Sequence, residues 1–302
     1  MRWVWNLGGL SPRQLARNVW YELDKDDVFG RAAQLSYYFL LALFPFLIFI
    51  SAVLGQVFAG NAELYHELLA YLSAVMPSSA YEVVRDTVDE ITLGSTGGKL
   101  SFSLLLTLWT ASSGMEAVIN GLNIAYAVTE RRTWWKRRIV AVSLTVFLSL
   151  ISGVALLLAL FGSRIGSFLA TQYGYGEAFE KMWVTAQLAF PPLFMLLVFA
   201  LIYRFAPNVR AHGWQALLPG ALVSVTLWIG ATALFRAYLV YFDSYSKTYG
   251  SLGAVIVLML WLYLTGIAIL IGGEVNSEIR KAAAEAGAPE ARQDIEAPAE
   301  SA

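Results

Sequence analysis

The chain has 302 residues, of which 58% are hydrophobic and only 14% are charged, whereas soluble domains carry roughly 25% charged residues. This composition excludes an ordinary soluble domain and indicates a membrane protein. The formal net charge of -1 favours no particular partner. The chain contains no cysteine, which excludes disulfides, thiolate chemistry and cysteine-ligated metals.

The first 33 residues predict a cytoplasmic amphipathic arm. Ser11 is placed to cap a helix whose first residue is Pro12. Apolar residues, among them Val19 and Leu23, then recur every fourth position. The pattern fits a helix lying in the membrane interface and, equally well, a helix packed on the inner face of a bundle.

Six apolar stretches follow, and each is long enough to cross a membrane as a helix, which needs about 20 residues. The spans are predicted at about 34–57, 100–127, 139–162, 183–204, 215–240 and 250–275. Most of the 21 Lys and Arg residues fall on the side of the termini, so the positive-inside rule places both ends in the cytoplasm. The predicted fold class is all-α, a polytopic membrane protein whose transmembrane domain covers residues 34–279.

Two segments differ from the spans. Residues 60–96 carry two amphipathic stripes separated by MPSS, which predicts a helical hairpin on the outer face. Residues 280–302 consist mainly of Ala, Pro and Glu and have little to bury, so we predict a disordered cytoplasmic tail.

A polar face interrupts the second span. Ser112, Glu116, Asn120 and Asn123 follow helical spacing and therefore lie on one side of the helix. A charged side chain near the bilayer centre costs about 2.5 to 3.5 kcal/mol on insertion scales, so this face is expected to contact protein or water.

Glu274, at the end of the last span, is expected at the same depth as Glu116. Arg31 and Arg204 enter from the same side and are the candidate partners of these two carboxylates. Three interpretations stay open: a structural ion-pair network that fixes the order of the helices, a site for an ion, a proton or a headgroup, and chance placement.

Prolines fall inside two spans. Pro45 lies in the first, and the pair Pro191 and Pro192 lies in the fourth. A proline removes a backbone hydrogen bond and bends a helix, so these residues are candidate hinges, although prolines are also common in ordinary membrane helices.

The run RRTWWKRR combines five cations with two tryptophans at a membrane boundary. The candidate contacts to anionic lipid are Arg131, Arg132, Lys136, Arg137 and Arg138. Setting the topology alone is the favoured explanation of the run, recognition of specific lipids is second, and binding of nucleic acid is the least favoured interpretation.

Signatures of catalysis are scarce. There is no GxxxxGK[ST] phosphate loop and no GxSxG elbow, and His66 and His212 are predicted on opposite sides of the membrane. We therefore predict no enzyme, no metal site and no cofactor. The expected partners are membrane lipids, not nucleic acid, and a homo-oligomer stays open.

Four stretches together resemble the YihY/BrkB family of bacterial inner-membrane proteins, long known under a ribonuclease BN label. They are RAAQLSYYFLLALFPFLIF (31–49), ASSGMEAVINGLNIAY (111–126), YRFAPNVR with GWQALLPGALVSVTLW (203–228) and YGSLGAVIVLMLWLYLTGIAILIGGEVNSEI (249–279). The resemblance implies six spans with both ends in the cytoplasm, and it transfers no catalytic residue. The leading hypothesis is binding or transport of an amphiphile or ion; a membrane scaffold is the rival, and a ribonuclease is the least favoured.

Overall fold

The computed structural model describes residues 2–58, 69–70, 73, 85, 97–173, 177–209, 213–241, 244–288 and 291. Almost all of these residues are helical, and no strand occurs among them, which confirms the all-helical fold class for this part of the chain. The predicted outer hairpin at 60–96 lies almost entirely outside the described residues, as does the end of the predicted tail at 292–302.

In the part of the chain that the structure describes, six long helices follow a short N-terminal region. That region contains α1 (Arg2–Trp5), a 3-10 turn at Leu7–Gly9 and α2 (Pro12–Lys25). The long helices are α3 (Val28–Phe58), α4 (Gly97–Ala125), α5 (Trp134–Tyr173), α6 (Glu177–Phe205), α7 (Leu218–Tyr241) and α8 (Ser244–Glu285). A second 3-10 turn at Trp214–Leu217 leads into α7.

The long helices form a closed bundle. From α3 to α8 each helix packs against the next one in sequence, and α8 packs against α3 and α4, so the last helix closes the ring. The core combines aromatic and aliphatic side chains of several helices, including Leu35, Ile119, Tyr203 and Leu270.

The surface of the bundle is that of a membrane protein. Three described segments are long and apolar enough to cross a membrane, namely Trp134–Ala155, Trp214–Tyr238 and Val255–Glu285. Large apolar side chains also point outward: Leu234 is 74% exposed and Leu105 is 67% exposed. Monomeric soluble proteins rarely expose apolar surface on this scale, whereas lipid covers such a surface at no cost.

The predicted cap of α2 is confirmed. Ser11 Oγ accepts a hydrogen bond from the backbone N–H of Gln14 (3.3 Å), and the Gln14 side chain accepts one from the backbone N–H of Ser11 (2.9 Å). Val19 and Leu23 are buried, and α2 packs against the end of α8. The apolar face of this helix thus contacts the bundle, while Trp20 on its other side is exposed.

The last helix continues beyond the predicted boundary of the tail. Helix α8 runs on to Glu285, and Ala283, Ala284 and Ala291 are buried in a small cluster with Trp3. Alanine has the highest helix propensity, and its small side chain allows the N-terminal region to pack closely on this end of α8. Composition alone did not reveal that partner.

Candidate functional site

Glu116 is held by two arginines from the start of α5. Its Oε1 accepts hydrogen bonds from Nη2 (2.8 Å) and Nε (3.0 Å) of Arg137, and its Oε2 accepts one from Nη1 of Arg138 (2.8 Å). Only 19% of the Glu116 side chain and 6% of the Arg138 side chain are exposed. Charge-assisted hydrogen bonds are stronger than neutral ones, so this carboxylate is well compensated.

Arg138 is itself fixed by Trp109. Its guanidinium carbon lies 4.0 Å from the centre of the indole ring, and its Nη2 donates to the Trp109 carbonyl. The Nη atoms also approach Ser113 Oγ at 3.4 Å. Arg138 of α5 therefore contacts both Glu116 and Trp109 of α4. These contacts join the start of α5 to the middle of α4.

A polar cavity of about 250 Å³ opens beside Glu116, between α3 and α4. We call it the α3–α4 cavity. Its lining residues are Arg31, Gln34, Leu35, Tyr38, Ser113, Glu116, Ala117, Asn120 and Gly121. Three of the residues predicted from sequence, Arg31, Glu116 and Asn120, thus share one cavity.

The other predicted members of the polar network lie elsewhere. Ser112 is buried and donates to the carbonyl of Trp109 (2.8 Å). Arg204 lies in the last turn of α6. Its guanidinium carbon lies 4.8 Å from the ring centre of Trp214. Asn123 belongs to a contact between two loops. The polar groups that were predicted at similar depth are therefore distributed over separate contacts.

Glu274 is fully buried, with 0% exposure, and neither of its carboxylate oxygens has a hydrogen-bond partner among the described residues. The charged groups that act on it are Asp26, Lys281, Glu22 and Glu278, three acids and one base. Lys281 bonds to Glu278 (2.9 Å) and Glu22 (3.4 Å). Glu274 thus occupies a different environment from Glu116, without a guanidinium partner.

The loop between α4 and α5 is joined to the end of α6 by polar contacts. Asn123 Nδ2 donates to Glu130 Oε2 (2.8 Å), and Asn123 Oδ1 accepts from the backbone N–H of Asn208 (2.7 Å). Arg132 Nη2 bridges Glu130 Oε2 (2.7 Å) and the carbonyl of Ala206 (2.9 Å). These bonds explain why Asn123, in the last turn of α4, does not line the α3–α4 cavity.

Replacing Glu130 by Gln is expected to lower the free energy of unfolding by about 1.5 kcal/mol at neutral pH. Burial raises the pKa of Glu130, but hydrogen bonds from Arg132 and Asn123 outweigh burial and lower this pKa below the usual 4.5. Such a carboxylate stabilises the fold above pH 4.5 and loses this effect as the pH falls through its folded-state pKa. Thermal unfolding in detergent at a series of pH values should show the E130Q difference shrinking below pH 4.5. A difference in stability between wild type and E130Q that did not change with pH would contradict an origin in the charge of Glu130.

The basic run has two kinds of members. Arg132, Arg137 and Arg138 form ion pairs within the protein, with Glu130 and Glu116. Arg131 and Lys136 are exposed, together with Trp134 and Trp135. The exposed members keep the character predicted for contacts to anionic lipid, and that role stays a prediction.

Both proline sites lie inside continuous helices. Helix α3 runs through Pro45, and α6 runs through Pro191 and Pro192, whose side chains are exposed. The hinge role stays a prediction.

One polar contact was missed by sequence reasoning, and it lies where α7 crosses α8. Tyr203 Oη lies 2.6 Å from Ser224 Oγ and donates to the carbonyl of Ile269 (2.8 Å). Asn276 Oδ1 accepts from the backbone N–H of Gly220 (2.7 Å). Single Ser, Asn and Tyr residues within apolar runs form no periodic pattern, so the only signal was their isolation.

Gly220 and Gly272 make that crossing possible. A Cβ on Gly272 would collide with Ser224 Oγ, Tyr203 Oη and the carbonyl oxygen of Gly220. The backbones therefore approach closely, as small residues allow between membrane helices.

A bundle of long helices with an apolar outer surface and a charged cavity between two of them defines a membrane protein of several helices. The chain belongs to the family described as Virulence factor BrkB, whose model matches residues 19–295. This confirms the resemblance seen in the sequence.

Two of the following three relatives are named as membrane proteins. The putative ribonuclease-like protein YfkH of Bacillus subtilis is 37% identical over 252 residues, 83% of this chain and 90% of the relative. A UPF0761 membrane protein of Alkalilimnicola ehrlichii is 27% identical over 259 residues, 84% of this chain but 56% of the relative. UPF0761 membrane protein XCC0860 of Xanthomonas campestris pv. campestris is 26% identical over 269 residues, 87% of this chain and 60% of the relative. The chain thus spans less than two thirds of the two UPF0761 proteins. No solved structure gives a significant match.

Proposed function

We propose that the chain is a multi-pass protein of the bacterial inner membrane that binds an amphiphile and moves it through the α3–α4 cavity. In this proposal α3 to α8 are six membrane spans, and both termini lie in the cytoplasm. The distribution of Lys and Arg supports that orientation, and the closed ring of six long helices supports the number of spans.

One observation carries the proposal: the α3–α4 cavity is polar although the helices that bound it are mostly apolar. A cation, Arg31, and an anion, Glu116, line it together with the amides of Gln34 and Asn120. Ionisable groups within membrane helices are costly and commonly mark substrate pathways.

A second cavity of about 230 Å³ lies next along the same two helices and is mostly apolar. Phe39 and Gly114, which line it, directly follow Tyr38 and Ser113 of the α3–α4 cavity. Neighbouring polar and apolar cavities suit a ligand with a polar headgroup and an apolar chain.

A filled cavity is expected to abolish the activity. Asn120 is exposed, so Asn120→Trp places a large ring at the cavity with little demand on the core. Ala233→Trp on α7, also exposed and away from the cavity, is the matched control. Purified wild-type and variant proteins would be reconstituted in liposomes and assayed for lipid scrambling and for ion flux. Wild-type activity that N120W retains in full would refute the role of the cavity, and absence of activity in the wild type would refute transport.

The rival function is a membrane scaffold without transport, favoured by the double salt bridge of Glu116, which is what a structural staple requires. Its prediction is a stable, inactive protein in the liposome assay. Because the Bacillus relative is named ribonuclease-like, RNA cleavage should also be measured on the same preparation. The N120W protein, purified in the same way, is the reference sample for that assay.

A further inference from the structure

Arg31 brings a positive charge to the α3–α4 cavity that the protein does not neutralise there. Its Nε donates to the backbone carbonyl of Asp26 (2.7 Å), which fixes the side chain at the start of α3. Among the described residues its other guanidinium nitrogens have no hydrogen-bond partner and no carboxylate within salt-bridge distance. Asp27, close in sequence, accepts instead from the backbone N–H of Gly30 (3.3 Å) and does not line the cavity.

The other polar groups of the cavity are also available to a ligand. Gln34, Tyr38 and Asn120 each have a side-chain N–H or O–H donor, and none of these side chains forms a hydrogen bond to a described residue. Together with Arg31 they place four donor groups along one wall of α3 and the facing turn of α4.

The carboxylate of the cavity does not offset this charge. Glu116 is the one acidic residue in the lining, and two guanidinium groups, those of Arg137 and Arg138, already bind it. The lining itself carries one positive charge, on Arg31, and one negative charge, on Glu116, whose oxygens are bound by guanidinium groups from outside the lining. The Glu116 carboxylate is therefore not free for a cation, whereas an anion with several oxygen atoms would find both the Arg31 charge and the donors.

We infer that the α3–α4 cavity selects an amphiphile by an anionic, phosphate-bearing headgroup, which Arg31 binds with the help of Gln34, Tyr38 and Asn120. The inference rests on the proposed function and names the class of its ligand. The cavity volume of about 250 Å³ lies just below the roughly 300 to 1,000 Å³ of sites that enclose a whole drug-sized ligand. It therefore suits a headgroup whose chains remain outside.

The test compares three probes on the purified protein in detergent: short-chain phosphatidylglycerol, short-chain phosphatidylcholine and inorganic phosphate. Phosphatidylglycerol is expected to bind at least about tenfold more tightly than phosphatidylcholine, since the choline cation would lie beside the Arg31 charge and find no free carboxylate in the lining. Arg31→Gln should weaken phosphatidylglycerol binding about tenfold, and Arg31→Lys should restore part of it. Arg17→Gln, an exposed arginine of α2 outside the cavity, is the matched control and should leave the affinity unchanged.

Each outcome separates this inference from the proposed function. Equal binding of both lipids, with N120W still blocking, would overturn the selection of an anion and leave the amphiphile pathway standing. Inorganic phosphate that binds as tightly as phosphatidylglycerol would assign the cavity to a free anion and overturn the headgroup. Equal losses in R31Q and R17Q would move the anion site to the general basic surface.

Discussion

The Glu116→Gln variant is expected to be less stable than the wild type by about 3 kcal/mol. The amide keeps the shape of the side chain but removes the charge that two guanidinium groups share. Arg138 is buried and would then carry an uncompensated charge beside the Trp109 ring. In a chain of this size the loss corresponds to a fall of about 5 °C or more in the thermal midpoint, measurable by differential scanning fluorimetry in detergent.

Glu274→Gln is the matched control, since it makes the same chemical change at another buried carboxylate of the bundle. Glu274 is fully buried and has no hydrogen-bond partner among the described residues, so the amide removes neither a hydrogen bond nor an ion pair there. We expect E274Q to keep or raise the thermal midpoint. Equal destabilisation by E116Q and E274Q would contradict the difference between the two environments.

A double variant shows whether the loss of stability in E116Q comes from the broken ion pair or from the changed side chain itself. If the loss in E116Q comes from an orphaned charge, adding Arg138→Gln should recover part of the stability, because the buried charge disappears with its partner. Strict additivity of the two single losses would show that Glu116 and Arg138 are not coupled.

Gly272→Ala is expected to destabilise the bundle by about 3 kcal/mol or more. The new methyl group would force α7 and α8 apart or break the contact between Tyr203 and Ser224, which are buried and would lose their hydrogen bonds. Overpacking and unsatisfied hydroxyl groups both add to the cost. Thermal unfolding in detergent and yield in the membrane fraction measure the effect.

Gly230→Ala provides the control on the same pair of helices. Gly230 lies in α7, and a Cβ there would meet no atom within 4 Å. Alanine is the better helix former, so G230A should be neutral or slightly stabilising. If G272A proved as stable as G230A, the close approach of α7 and α8 would be wrong.

Helical periodicity and charge predicted the helices and the polar face of α4, because both signals are local. The partner of Glu116 is not a local property. Arg138 and Glu116 each lie 11 residues from Ala127, in the loop of the α4–α5 hairpin, so an antiparallel pair brings them together. That symmetry was present in the sequence, whereas matching residues by membrane depth alone pointed to Arg31 and Arg204.

Other features could not be predicted because they depend on tertiary contacts. Asn123 shares the helical face of Glu116, yet its amide forms hydrogen bonds with Glu130 and Asn208, which lie in two different loops. The contact of Gly220 with Gly272 depends on how two helices cross, which neither residue encodes alone. Periodicity locates a polar face, and packing decides which neighbour each polar group meets.

The most direct test of the central claim uses the absence of cysteine from the chain. Asn120→Cys would be labelled with a membrane-impermeant maleimide in inverted inner-membrane vesicles, which expose the cytoplasmic side. A water-filled cavity open to the cytoplasm predicts rapid labelling that short-chain phosphatidylglycerol slows, while Ile119→Cys, at a fully buried neighbouring position, stays unlabelled until the protein is denatured. If N120C reacted no faster than I119C, the cavity would be closed to water and the proposed pathway through it would be wrong.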